Sequence, residues 1–227
     1  MREAARQADT LTAPKWIMAR QQTDARGRHG RKWSNPDGNL AATLVFHPKC
    51  SPMAAAQQSF LAANALYETF YLYTGHQPLS LKWPNDVLLD GGKVAGILLE
   101  SSARHGMVDW LSIGFGVNLG KAPEDVTDAA FPPVSLAGNG RHRVDPNEFL
   151  LYLAKAYVTQ EQNLARHGFE RIRKDWMAQA ARLGQTITAR MPQETVEGRF
   201  ETIDADGNLV LFTAAGRRVI AAADIHF

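Results

Sequence analysis

The sequence predicts an α+β fold, a β-sheet packed with helices and followed by a small all-β barrel. Three observations carry this. Apolar, strand-like runs bounded by turn residues fill much of the first 120 positions. Two long stretches have helical spacing, beginning near Pro52 and Pro146. After Gly184 the chain changes to short β-rich segments. With 227 residues and 45% apolar content, the chain can bury one core of ordinary size and a small second one. We place the domains at 1–182 and 183–227.

"PKWIMAR" (14–20) and "NLAATLVF" (39–46) read as strands on either side of an Arg-Gly loop. From Pro52 to Tyr73 the chain is rich in Ala, Gln and Leu, a helix ended by Gly75 and Pro78. "LSLKW" (79–83) is a strand. "DVLLDGGKVAGILLES" (86–101) is a β-hairpin whose Asp90-Gly91-Gly92 turn tolerates positive φ. Residues 107–120 form a further strand containing Gly114 and Gly116, and glycines within a strand mark a bulge or a close approach. Residues 121–144 read mostly as loop. Asp145 then caps a helix, with Pro146 in the first turn and Glu148 at capping-box spacing. Phe149, Leu153, Ala156, Tyr157 and Leu164 follow at helical spacing; Gly168 interrupts, and a shorter helix over about 170–181 ends at Gly184. The β-rich segments after it, such as "TVEGRFETI" and "LVLFTA", are separated by turn material over 204–208.

Composition excludes several classes. One cysteine, Cys50, allows no internal disulfide, and no apolar run approaches the roughly 20 residues of a membrane span. The start lacks a secretory h-region, so a cytoplasmic protein is expected. No phosphate loop G-x-x-x-x-G-K-[ST], no G-x-G-x-x-G entering a helix, no H-E-x-x-H and no G-x-S-x-G occurs.

The charge is local. From Arg20 to Lys32 five cations face one carboxylate, Asp24, in a chain of formal net charge +2. Arg26, Arg28 and Arg31 alternate with Gly27 and Gly30, on backbone that loses much entropy when ordered. Such a loop is expected to be mobile when empty, its like charges repelling until an anion arrives, and the pattern fits one phosphate-sized site rather than a nucleic-acid face. In "SLKWPNDVLLDGGKVAGILLE" (80–100), Pro84 stops a strand and leaves Asn85 and Asp86 at a turn, where they can meet a ligand or metal. Lys93 opens the next strand and Gly96 leaves room against its backbone. A lysine on a rigid strand beside a turn carboxylate suits phosphate stabilisation. Lys82 precedes Trp83 and is expected to face away. Taken alone, either segment is also what an ordinary basic loop and surface hairpin look like.

"RGRHGRKW", "KWPNDVLL", "GKVAGILLE" and "GFGVN", in that order, together resemble the catalytic core of biotin protein ligases. The resemblance covers nearly the whole chain. It implies a mixed sheet of the class II aminoacyl-tRNA synthetase-like kind and a C-terminal SH3-like barrel. It implies that biotin attacks the α-phosphate of ATP, with Mg²⁺ assisting, and that biotinyl-5′-AMP then passes its acyl group to a lysine of a carrier. The carrier would be the biotin carboxyl carrier protein of acetyl-CoA carboxylase or of a related carboxylase. By position, Gln22 would meet the biotin head group, and Arg26, Gly27 and Arg28 would fold over biotin and the phosphates. Trp33 would pack on adenine. Asn85 and Asp86 would sit by the phosphates, Asp86 also by the metal. Lys93 would stabilise charge during adenylation and touch the intermediate's phosphate. Gly96 and Ile97 would line the biotin channel and Asn118 the nucleotide side; Arg28 and Lys93 are the catalytic pair.

Ala25 stands where the family loop begins with glycine, and His29 where it has a further arginine. A Ser-Thr-Asn-like segment that contacts biotin in the family would lie about where this chain starts. The resemblance allows a homodimer and, without a winged-helix segment, implies no DNA binding. Lipoate and octanoyl ligases share the fold but show an R-R-x-x-G-G-G-type run, which Arg217-Arg218 does not continue. A non-catalytic biotin- or nucleic-acid-binding module is the other reading; nucleic-acid binding calls for interleaved aromatics, and only Trp33 flanks the cluster.

Overall fold

The computed structural model describes every residue except 76–77, 125, 127–130 and 140–142. The loop expected over 121–144 therefore lies partly outside the described residues. A short helix α1 (Arg2–Gln7) leads to a six-stranded sheet. Its strands are β1 (Lys15–Ala19), β2 (Leu40–Phe46), β3 (Leu79–Lys82), β4 (Asp86–Leu89), β5 (Gly92–Arg104) and β6 (Met107–Val117), in the order β1-β2-β6-β5-β4-β3. Each neighbouring pair is antiparallel. Among the described residues, the parallel pairing that makes a sheet mixed appears only as isolated bridges, Leu81 to Ala180 and Lys93 to Pro133.

Turn chemistry sets this meander. Asp90 and Gly91 have φ of 50° and 79°, the backbone a two-residue β4–β5 hairpin turn requires. His105 and Gly106 repeat the device between β5 and β6, with φ of 51° and 78°.

Helix α2 (Pro52–Thr74) crosses the sheet. Ser51 caps it by accepting from the Ala54 N–H, and Gly75 ends it. It buries Leu61, Leu66 and Phe70 and also polar Gln58 and Asn64, because it is covered by the sheet on one side and by α3 (Pro146–Ala178) on the other. A helix enclosed this way need not be amphipathic. Asp145 caps α3 by accepting from the Asn147 N–H. The expected capping box is not closed, since the Glu148 carboxylate accepts from the Tyr73 hydroxyl instead. As expected, Gly168 interrupts α3: at φ 71° and ψ −179° its backbone is not helical, and the two helical stretches on either side meet there at a kink.

The last strands, β7 (Thr186–Arg190), β8 (Thr195–Ile203), β9 (Leu209–Thr213), β10 (Gly216–Ile220) and β11 (Asp224–His226), form a separate five-stranded antiparallel sheet in the order β10-β9-β8-β7-β11. This small β unit is bound to the rest by directional contacts. The Trp83 indole N–H donates to the Gly207 carbonyl and the Arg173 guanidinium to the Ile203 carbonyl. No helix among the described residues is long and apolar enough to cross a membrane.

Candidate active site

The site grows out of the register of the large sheet. Lys82 pairs with Asp86, Asp86 with Gly96, Gly96 with Gly116 and Gly116 with Ala41, a single cross-strand row. Directly opposed residues share a face, so the row runs from two charged side chains onto a floor with no side chains at Gly96 and Gly116. The indole of Trp33 fills that floor. A Cβ on Gly116 would lie 2.6 Å from Trp33 Cε2, and one on Gly96 3.2 Å from Cζ3.

Lys93 joins this face through a slip in register. Val87 opposes Ala95, but Leu88 opposes Lys93, leaving Val94 as an extra residue on β5. Without the slip, Lys93 would have the opposite parity to Gly96 and point through the sheet; a bulge re-aims the side chain. Lys93 Nζ thereby lies 2.7 Å from Asp86 Oδ1 and 5.4 Å from the centre of the Trp33 ring.

Lys82 does not face away. Its side chain is 8% exposed, its Nζ lies 2.9 Å from Asp86 Oδ2, and it lines the same cavity. Asp86 is itself buried, yet the two lysines hold its carboxylate down at about 2 against the cost of burial. Both its oxygens thus lie beside ammonium groups, Oδ2 accepting a hydrogen bond from Lys82 and Oδ1 ion-paired with Lys93. A metal ion at Asp86, which the resemblance implies, would have to approach beside these two ammonium groups.

The Arg-Gly loop folds into a small hairpin. The Gly27 N–H donates to the Arg31 carbonyl at 2.7 Å and the Trp33 N–H to the Ala25 carbonyl at 3.3 Å, with His29 and Gly30 at φ 55° and 72° at its tip. The expected mutual repulsion of the arginines is relieved within the protein. Arg26 pairs with Glu100 at 2.7 Å, Arg31 with Asp224 of β11, and Arg28 reaches Asn85 Oδ1 at 3.4 Å. Burial lowers the pKa of Arg28, opposed by the nearby Asp224 and Asp86 carboxylates.

All eleven residues singled out from the sequence border one cavity of about 860 Å³: Gln22, Arg26, Gly27, Arg28, Trp33, Asn85, Asp86, Lys93, Gly96, Ile97 and Asn118. Their surroundings differ. Gln22 Oε1 and Trp33 Nε1 are buried without a protein partner, and such atoms are costly unless something else satisfies them. Asn85 is anchored, its amide donating to the Ile97 carbonyl at 2.6 Å. Asn118 is also committed, donating to Val134 O at 3.0 Å and so tying residues 132–136 to the sheet. Thr43 and Phe115 line the cavity too, as do Arg190, Asp224 and His226 from the small β unit. Thr43 had a readable signal, a hydroxyl within an apolar strand; the C-terminal three had none, because they arrive through packing between two sheets.

The cavity thus combines convergent cations with a glycine floor on which an indole rests. Residues 3–118 match the Biotin/lipoate A/B protein ligase family, and residues 183–227 match the Biotin protein ligase C terminal domain. The chain belongs to this ligase family. It is 49% identical over 228 residues to the biotin–acetyl-CoA-carboxylase ligase of Paracoccus denitrificans, covering 99% of this chain and 95% of that one. The bifunctional ligase/repressor BirA of Bacillus subtilis is 31% identical over 212 residues, covering 92% of this chain and 65% of that protein. A biotin protein ligase from Aquifex aeolicus, solved with biotin and ATP, shares the fold at a TM-score of 0.82 and 24% identity, covering 98% of this chain and 92% of that one.

Proposed function

We propose that this chain activates biotin with ATP and transfers it to a lysine of a biotin carboxyl carrier domain. The observation that carries the reading is the convergence of four separated sequence stretches, 22–33, 85–86, 93–97 and 118, on one cavity. The family and the name of its Paracoccus relative support the same chemistry. In the first step a biotin carboxylate oxygen attacks the α-phosphorus of ATP, the bond to the bridging oxygen breaks, and pyrophosphate leaves. In the second, the carrier amine attacks the acyl carbon, the bond to the AMP oxygen breaks, and an amide forms as the amine loses a proton.

Two anions must meet, so preorganised cations contribute most. Arg28 and Lys93 supply them, with Lys82 close behind. Gln22 takes a polar edge of biotin, Gly96 and Ile97 border its apolar body, and Arg26 and Gly27 belong to the covering loop. Trp33 lies on the adenine, with Asn85 and Asn118 shaping the nucleotide side. The loop excludes water from a mixed anhydride that hydrolyses readily. Mg²⁺ accompanies the phosphates of ATP. The reading places the domain boundary at 182/183 and the enzyme in the cytoplasm.

The test is incubation with ATP, Mg²⁺, biotin and a carrier domain, followed by intact-mass measurement. A biotin-sized gain on the carrier is expected; a lipoyl-sized gain with lipoate alone overturns the reading. The Trp33 assignment has its own check. Gly116→Val should push the indole off its floor and raise the KM for ATP by about tenfold, equivalent to about 1.4 kcal/mol and within the usual cost of overpacking. An unchanged KM would remove the ring from the adenine.

A further inference from the structure

We propose that Asp86 is a positioning residue, holding Lys82 and Lys93 side by side as a pair of phosphate-facing cations, and that it does not ligate a metal. The proposal rests on the adenylation reading above. Each carboxylate oxygen takes a different lysine, Oδ2 with Lys82 at 2.9 Å and Oδ1 with Lys93 at 2.7 Å. The clamp is rigid because its parts stand on paired strands: Lys82 opposes Asp86, and the slip beside Val94 delivers Lys93.

Charge decides between the two roles. Two ammonium groups share one carboxylate, so the trio carries net positive charge, and Arg28 lies close enough to add to it. Such a cluster attracts phosphate and repels a divalent cation. Mg²⁺ also demands octahedral oxygen coordination and sheds water reluctantly. An ion at either Asp86 oxygen would sit against an ammonium group already within 2.9 Å of that oxygen, and displacing Lys82, whose side chain is 8% exposed, would leave a buried and unpaired ammonium.

The experiment measures biotin-dependent pyrophosphate release while Mg²⁺ is titrated at saturating ATP and biotin. Asp86→Asn is expected to lower kcat by about tenfold or more while the half-saturating Mg²⁺ concentration stays within about twofold of wild type. The loss in Asp86→Asn/Lys93→Ala should fall well short of the product of the two single losses, since residues that act as a unit are not additive. A tenfold rise in the Mg²⁺ requirement, or fully multiplicative losses, would overturn the proposal. Should Asp86→Asn fail to fold, Lys82→Gln answers the same question by freeing one Asp86 oxygen. Its half-saturating Mg²⁺ should not change, whereas a metal site at Asp86 would tighten and lower it several-fold. A wild-type protein that releases no pyrophosphate defeats the functional reading and the proposal with it; the other adverse outcomes defeat the proposal alone.

Discussion

Lys93→Ala is expected to slow biotin-dependent pyrophosphate release by about 10²-fold or more, the usual loss when one preorganised donor to a transition state is removed. The structure gives a reason to expect this without loss of fold. The Lys93 side chain is 30% exposed, and Asp86 retains its contact with Lys82 when Lys93 is truncated, so no carboxylate is left buried and alone. Thermal unfolding of Lys93→Ala should therefore stay close to wild type. Burst and steady-state measurements of pyrophosphate decide the matter. Release near the wild-type rate from a folded variant would remove Lys93 from the chemistry. Lys82→Ala should behave differently, lowering both the rate and the unfolding temperature, because it removes a buried partner of Asp86.

Trp176→Ala should give the largest stability loss of any single truncation considered, about 3–5 kcal/mol. Trp176 is 1% exposed and meets Phe60 of α2 edge to face at 5.5 Å. Phe60 also packs against Phe169 at 5.4 Å, and a Cβ on Gly207 in the small β unit would touch its ring at 2.8 Å. Truncation would open a cavity where α2, α3 and the second sheet meet, with little freedom to collapse. Against a total of about 5–15 kcal/mol, such a loss leaves the domain near its unfolding threshold at ordinary temperature. Urea titration is the measurement: the midpoint should fall while the slope is unchanged. A loss below about 1 kcal/mol would mean that the aromatic cluster relaxes around the gap.

Much of the site was legible before the fold. The Arg-Gly loop, the Asn85-Asp86 turn and the strand opened by Lys93 each carry a local residue pattern, and all their singled-out residues border one cavity. The committed hydrogen bonds of Asn118 and the buried amide of Gln22 were not legible, since both depend on neighbours distant in sequence.

By itself the sequence determined what short-range chemistry controls. Ser51 and Asp145 start the helices, Gly75 ends one, and Asp90-Gly91 turns the hairpin, since caps and turns are satisfied within a few residues. The ordered motifs likewise pointed to the ligase family to which the chain belongs. Only the tertiary structure decided which way the lysines face. The parity of Lys93 depends on one extra residue in a strand pairing, which no periodicity within β5 reveals, and Lys82 turns inward because its register partner is Asp86. Pairing of the arginines is of the same kind. Arg31 meets Asp224 only because the second sheet docks beside the loop, bringing together charges nearly two hundred residues apart, and such a contact is set by the packing of whole elements.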